Sequence, residues 1–515
     1  MQKLTVIIIV IFSLKIFSQE STNISSIQGK ELNASVRLNF IPVKMPYKTY
    51  TFSNITETMH VMGLHYHVPF TKNFYGGAGI YGALLGDQSG FFTLGATLGY
   101  QQQLYKSLYL DANFHIGGGG SNSNLVNSGL LINPNIGLQL KKQNYAFGIQ
   151  YSKVDFPTGV IHSDSWSVFV EIPSTLRIAD YASANKTFDI SQITDNSFWQ
   201  KPAVKSAVQV RFDFLFPIGN SKKDNLQNLD NTLYVLGFEY QKYLNDKTFI
   251  FAHTDAIYKG LTAGFMDLFF GVGYNWVNTN YLNLYSKLGI GAAGGRIAQE
   301  GGLTVFPSAG FDFKFTNNIA LNAHVGYFKF LDGTFEAYSA GFGLKYFNFS
   351  GGVQKSHQKK FTQTKTQGLH VAVEYQTFKG LERRDEPETD TGQLAFMVFY
   401  DLNKSFYFFG EASFAVKGDA GGYANAGIGM GYATSKFLNQ KFSAFAEISS
   451  GVAGGGRIDT EGGIVIKPTL GINYHLNNNF SLRFSYANFI GPLGSTKASN
   501  YNIGLVYNFS FLNVK

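Results

Sequence analysis

The segment Glu461-Gly462-Gly463-Ile464-Val465-Ile466-Lys467-Pro468-Thr469-Leu470-Gly471-Ile472-Asn473-Tyr474-His475-Leu476-Asn477-Asn478-Asn479-Phe480-Ser481-Leu482-Arg483-Phe484-Ser485-Tyr486 holds the reading on which the fold depends. Ile464, Ile466, Leu470, Ile472 and Tyr474 alternate with Val465, Lys467, Thr469, Gly471 and Asn473. Phe480, Leu482, Phe484 and Tyr486 then alternate with Ser481, Arg483 and Ser485. A period of two places alternate side chains on opposite faces of a strand, whereas a helix would repeat every 3.6 residues. The asparagines between the two runs supply a tight hairpin turn.

Moving outward, the same pattern recurs. Gly294-Gly295-Arg296-Ile297, Glu300-Gly301-Gly302, Pro307 and Gly310 match Gly455-Gly456-Arg457-Ile458, Glu461-Gly462-Gly463, Pro468 and Gly471. A looser copy runs from Gly117 to Gly120, then Pro134 and Gly137. These anchors delimit three repeats, residues 32–173, 204–348 and 367–511, joined by linkers 174–203 and 349–366. Each repeat contains eight alternating segments. Tight turns such as Thr71-Lys72-Asn73 and Thr316-Asn317-Asn318 alternate with longer polar stretches such as 219–231 and 379–391. The lysine-rich second linker, with Lys355, Lys359, Lys360 and Lys365, reads as a solvated connector.

Strands with short turns at one end and long loops at the other are the pattern of a transmembrane antiparallel up-and-down β-barrel. The expected fold is all-β, with three tandem eight-stranded units; the alternative is one 24-stranded barrel. Composition agrees. Aromatic residues make up 16% of the 515 residues and charged ones only 15%, below the roughly 25% charged of an average soluble protein. With no cysteine, disulfide scaffolds, thiolate metal sites, thiol nucleophiles and lipoprotein anchors are excluded. Residues 1–18, with Lys3 ahead of an apolar run and Ser18 at its end, read as a secretory signal peptide. No basic run interleaved with aromatics points to nucleic acid.

With the apolar face toward lipid, the other face lines an interior of mostly small residues, such as Thr93, Gly95 and Thr97, and a few charges of both signs. The charges expected to pair there are Arg37, Asp111, Arg211, Glu239, Lys287, Glu447, Lys467 and Arg483, with a structural role. Aromatic side chains are expected over bare glycine backbone in the pairs Tyr109 with Gly137, Tyr285 with Gly310 and Phe445 with Gly471. Pro134, Pro307 and Pro468 fall on the lipid face, where a local bulge is expected.

These strands resemble the small OmpX/OmpA-type outer-membrane barrels, through the Pro-x-x-Gly strand, the Asn-rich turn and the alternating aromatic strand. The final strand resembles that family's insertion signal at Asn502, Gly504, Tyr507 and Phe509. The resemblance implies residence in the cell outer membrane, with lipid and the barrel assembly machinery as partners. The expected function is a non-enzymatic structural or surface-interaction role through long extracellular loops, with an extracellular ligand or surface partner; the alternative is a channel or transporter formed by one large barrel. His162, Ser163 and Asp164 are adjacent in sequence, which does not make a catalytic triad. His60, His65 and His67 lack the carboxylate or further ligand a metal would want, and the glycine runs lack a P-loop's Lys-Ser/Thr. No catalytic, metal or cofactor site is expected, and the glycine runs read as flexible turns. Spin labels at Ile472 and Phe484 should be relaxed by lipid-dissolved oxygen; shielding at both positions would reverse the assignment of faces.

Overall fold

The alternating runs form antiparallel strands that return on themselves. In the computed structural model, which describes residues 29–46, 56–121, 123–190, 198–298, 300–353 and 363–514, the first set is β1 (Gly29–Lys44), β2 (Thr58–Pro69), β3 (Phe74–Leu85), β4 (Phe92–Tyr105), β5 (Leu108–Gly120), β6 (Leu130–Lys141), β7 (Ala146–Asp155) and β8 (His162–Ala179). A short β9 (Thr187–Asp189) follows in the first linker. The second set is β10 (Val204–Ile218), β11 (Leu233–Tyr243), β12 (Thr248–Lys259), β13 (Met266–Asn278), β14 (Leu282–Gly294), β15 (Leu303–Lys314), β16 (Ile319–Phe330) and β17 (Glu336–Ser350). The third is β18 (Gln363–Arg383), β19 (Glu386–Asp401), β20 (Phe406–Lys417), β21 (Ala424–Ala433), β22 (Phe442–Gly454), β23 (Ile464–His475), β24 (Phe480–Ile490) and β25 (Lys497–Val514). The signal-peptide segment 1–18 and Lys355, Lys359 and Lys360 lie outside the described residues.

Consecutive strands of each set pair antiparallel, and the last returns to the first. β8 pairs with β1 from Gly29↔Ala179 to Phe40↔Val168, β17 with β10 from Val204↔Ser350 to Ile218↔Glu336, and β25 with β18 from Thr364↔Val514 to Lys379↔Ser499. Short bridges, Ser510↔Ala179, Ser350↔Asn513 and the pairing of β9 with β18, link the closed sheets into one 25-stranded network. The outward positions carry exposed apolar side chains, among them Ile136, Leu288, Val325 and Leu470, while Thr93, Asp267 and Asn425 are buried inside. A closed antiparallel sheet with an apolar exterior is an outer-membrane-type β-barrel, in which every ladder group is paired within the protein.

Three local expectations need correction. The stretch 379–391 is a strand extension turning at Arg384 and Asp385, not a loop. The strand-six prolines make no bulge: pairing with strand seven skips the proline and one neighbour, and the register resumes unchanged at Asn135↔Ser152, Ser308↔Gly326 and Thr469↔Ala487. The missing proline N–H deletes a bond without adding a residue. Tyr109 stands opposite Gln139, and Gly137 opposite Asp111, so the expected Tyr109–Gly137 pair does not form. Tyr285 and Phe445 do lie over Gly310 and Gly471, where an added Cβ would come within 2.7 and 2.2 Å of the ring side chains. A second set was missed: Tyr75, Phe249 and Tyr407 cover Gly99, Gly273 and Gly431, one pair in each closed sheet at the same step between strands three and four.

The first linker is not a bare connector. Phe188, Ile190 and Trp199 pack with Val353, Leu512 and Val514 into a small core at the short-turn end. Lys201 and Arg177 flank Glu31 there at 2.6 and 3.1 Å. Lys365, expected in a solvated connector, is buried in β18 with its Nζ donating to the Leu402 carbonyl.

The closed sheets also touch one another cyclically at the long-loop end. Strand three of the first packs on strand five of the second (β3 on β14), β12 on β22, and β20 on β5. The backbone N–H of Ser89 donates to the Glu300 carbonyl at 2.9 Å, Ala263 to Glu461 at 3.0 Å, and Gly421 to Asn127 at 2.7 Å. These are equivalent positions in the three repeats. The next residue is Gly90, Gly264 or Gly422, each with positive φ, which glycine tolerates without steric cost. A Cβ at Gly129, Gly302 or Gly463 would lie 2.6, 2.5 or 3.0 Å from the carbonyl oxygen of Ala415, Ala83 or Ile257 on the neighbouring sheet. The runs Gly117 to Gly120 and Gly454 to Gly456, expected as flexible turns, are also sites of close backbone approach: a Cβ at Gly118 would lie 2.3 Å from the Ala415 carbonyl oxygen, and one at Gly454 2.8 Å from the Gly264 nitrogen. Since the chain has no native cysteine, the double variants Ser89→Cys/Glu300→Cys and Ala263→Cys/Glu461→Cys should each oxidise to an internal cross-link that shifts gel mobility. Absence of cross-linking in both would show that the contacts do not form.

Candidate functional site

The interiors hold the chemistry, because strand alternation sends every polar residue of the inward face to one enclosed space. In the first sheet Arg37 reaches from β1 to β5. Its fork meets Asp111 at 2.9 and 3.0 Å, and its Nε donates to Glu171 at 2.8 Å. The guanidinium lies over the Phe169 ring at 4.1 Å. Asp111 also accepts from Tyr75, Gln101 and Asn113, so this carboxylate is well satisfied. In the third sheet Arg483 lies 2.6 Å from Glu374 and 2.5 Å from Glu447, over the Phe445 ring. Lys467 pairs with Glu411 at 2.6 Å rather than with Glu447.

The second interior is the most heavily charged. Lys345 meets Asp312 at 2.8 Å; Asn322 donates to Asp312 at 2.7 Å and its Oδ1 lies 2.9 Å from His324 Nδ1. His324 Nε2 meets Asp213 at 2.5 Å, Asp213 meets Arg211 at 2.8 Å, and Arg211 meets Glu239 at 2.6 Å. Lys287 also pairs with Glu239. Beyond Arg211 lie Asp255, His253 and Asp267. The result is a file of titratable groups from the short-turn end toward the loop end. The alternation pairs Arg211 and Lys287 with Asp213 and Glu239 and sets Asp267 and Asp312 on the inward face, but it does not single out His253, Asp255, His324 or Lys345. The signal was available: His253 and Asp255 share one strand face, and Asp267 follows on the next strand.

Each interior ends in apolar side chains at the loop end. In the second sheet these are Phe265, Phe328, Phe330 and Phe335; in the first, Phe91, Phe156 and Ile161; in the third, Phe378, Tyr423 and Phe489. Beneath the first cap is a cavity of about 10 Å³ between Ile41, Val43, Tyr81, Phe91 and Phe156, roughly the space of one water.

The other residues singled out in the sequence are dispersed. His162 pairs with Asp155 at 2.5 Å, Ser163 accepts from the Lys44 amide at 2.8 Å, and Asp164 accepts from Tyr151, so no triad assembles. His65 and His67 point inward, and His65 packs against His115 with ring centroids 5.0 Å apart; His60 is exposed. On β25, Asn502 donates to Ser485, Gly504 faces Glu374, and Tyr507 packs on Phe509.

No family model matches the chain, and no curated protein does. Among solved structures it is similar to Pseudomonas aeruginosa OpdQ (10% identity, TM-score 0.21, covering 95% of this chain and 100% of that one). It is also similar to the outer membrane channel DcaP of Acinetobacter baumannii (9%, 0.20, 96% and 100%) and to a variant of the ferric enterobactin receptor PfeA from Pseudomonas aeruginosa (9%, 0.27, 96% and 81%). DcaP and PfeA are described as a channel and a receptor. The expected structural or surface-interaction role through free loops is corrected, and the reason lies in the molecule's own contacts. Loop residues that such a role would present, including Glu300, Glu461 and Asn127, are engaged in joining the sheets. Replacing Arg37 with Ala leaves Asp111 and Glu171 buried without their cation, which should cost about 3–5 kcal/mol. Urea unfolding from lipid vesicles measures this, and a change under about 1 kcal/mol would mean the pair is not desolvated.

Proposed function

We propose that the chain is an outer-membrane channel-type protein made of three tandem eight-stranded barrels, exported on the signal peptide 1–18. Protons or small cations cross the polar interior of the second barrel when its aromatic cap opens. The observation carrying this reading is the file from Lys345 and Asp312, across Asn322, through His324, Asp213 and Arg211 to Asp255, His253 and Asp267. Ionisable groups are costly to enclose at membrane depth, and a chain of them suits proton or ion movement. Phe265, Phe328, Phe330 and Phe335 then act as an apolar barrier of the kind that gates by excluding water.

The three-barrel reading rests on the ladders. A single 24-stranded barrel needs β8 beside β10, β17 beside β18 and β25 beside β1, whereas the long ladders of β8, β17 and β25 run to β1, β10 and β18. The OmpX/OmpA-like resemblance and an origin by repeat duplication fit this arrangement, and Asn502, Gly504, Tyr507 and Phe509 would present the insertion signal to the assembly machinery. No reaction is assigned, since His162, Ser163 and Asp164 face different partners.

In planar bilayers the full-length wild type should be silent or open only briefly. The Phe265→Ala/Phe328→Ala/Phe335→Ala variant should give openings well below the nanosiemens scale that favour cations. A correctly folded triple variant as silent as wild type would overturn the gated-interior reading, and nanosiemens openings from wild type would replace it with a wide pore.

A further inference from the structure

Among the described residues, His253, Asp255 and Asp267 form a cluster that only the second closed sheet possesses. The equivalent positions are Gly79, Tyr81 and Thr93 in the first and Glu411, Ser413 and Asn425 in the third, so the cluster is not a constraint shared by the repeats. It also interrupts the sheet locally. The β12–β13 ladder is continuous from Thr248↔Tyr274 to His253↔Phe269, then lapses until Ala256↔Met266. In the gap the Asp255 N–H donates to the Asp267 carboxylate at 2.9 Å, and Thr254 Oγ1 donates to the Asp267 carbonyl. The corresponding ladders elsewhere run unbroken through Tyr81↔Thr93 and Ser413↔Asn425.

The imidazole is aimed between the two carboxylates. His253 is 2% exposed; its Nε2 lies 3.8 Å from Asp255 Oδ2 and 3.6 Å from Asp267 Oδ1 and has no hydrogen-bond partner. Asp255 Oδ1 also lacks a hydrogen-bond partner, with Arg211 Nε 3.7 Å away. One ligand atom from each residue fits within a mutual spread of 4.8 Å. Bonds of about 2.0–2.2 Å to a shared metal place ligand atoms roughly 3–4 Å apart, the separation His253 Nε2 already has from Asp255 Oδ2 and from Asp267 Oδ1. On the far side of the imidazole, Nδ1 faces Glu239 Oε2 at 3.6 Å and Arg211 at 3.5 Å. A metal on Nε2 requires the proton to sit on Nδ1, where Glu239 is the available acceptor and Arg211, a donor only, is not. Phe251, Phe269 and Phe306 pack against the ring.

Charge balance gives a second reason. The fully buried groups of this interior include three cations, Arg211, Lys287 and Lys345, against five carboxylates, Asp213, Glu239, Asp255, Asp267 and Asp312. Half-buried Lys205 is at the opposite, short-turn rim, over Tyr243 and Phe347. With neutral imidazoles two negative charges are left over, and they fall at the His253 end, where Asp255 and Asp267 share one cation contact between them. Buried charge has to be compensated, by proton uptake or by a cation, and a dication matches these two charges in number.

We propose that His253 Nε2, Asp255 and Asp267 bind one divalent transition-metal cation of the zinc class inside the second closed sheet. The site does not rest on permeation: it would hold a metal whether or not the interior conducts. To test it, full-length protein is refolded with EDTA or with Zn²⁺, freed of excess metal, and assayed by elemental analysis and thermal unfolding. Cobalt(II) is used as a spectroscopic probe. Wild type should retain one metal per chain, unfold at a higher temperature with Zn²⁺ than with EDTA, and show visible cobalt bands. Asp255→Asn and Asp267→Asn should each weaken retention at least tenfold and abolish the thermal shift. His115→Gln, altering a buried histidine of the first closed sheet, should retain the metal and report that the fold is intact. The proposal is overturned if folded wild type retains no metal at micromolar Zn²⁺, or if Asp255→Asn and Asp267→Asn retain it as wild type does. Conductance with the metal site silent, or metal binding without conductance, separates this inference from the channel reading.

Discussion

The hydrogen-bonding demand of the polypeptide backbone in hydrocarbon governs this molecule. A strand facing lipid has no water for its N–H and C=O groups, so an open edge inside the membrane costs several kcal/mol per unpaired group. The chain meets the demand three times: β8 lies on β1, β17 on β10 and β25 on β18. Closure fixes two further properties. Apolar side chains such as Leu288 and Leu470 are left facing outward, and each sheet acquires an interior so narrow that its polar groups must satisfy one another.

The interiors meet that second demand differently. In the first sheet one arginine between two carboxylates is nearly self-sufficient, its aspartate further held by Tyr75, Gln101 and Asn113. The second carries more carboxylates than cations and concentrates the excess beside His253. The closed sheets share a ladder pattern but differ in the interior, where a side chain changes charge without disturbing the ladder. The exception proves instructive, since Asp267 does disturb it by accepting the Asp255 amide.

Contacts between the sheets follow a single rule applied around a cycle: strand three of one repeat on strand five of the next. Such head-to-tail contacts either propagate into a filament or close, and here the third repeat returns to the first through β20 and β5. The glycines at the loop end make this possible by letting backbone meet backbone, as at Gly302 beside the Ala83 carbonyl. Loops engaged in that way are structural parts of the assembly.

Period-two alternation, the Asn-rich turns, the repeated Gly-Gly-Arg-Ile and Pro-x-x-Gly signatures and the burial of Arg37, Arg211 and Arg483 were legible in the sequence. Each depends on a residue and its near neighbours. Partners across an interior were not. Tyr109 was matched to Gly137 because both lie on the inward face, but a shift of two residues keeps the face and changes the height, and the ladder puts Asp111 there. Lys467 likewise finds Glu411, while Arg483 takes both Glu374 and Glu447. By itself, then, the sequence determined strands, faces, turns and the inward charges. Only the tertiary structure decided which strand closes on which, which charges meet, and that His253, Asp255 and Asp267 converge, because those depend on register accumulated around a closed sheet and not on local pattern.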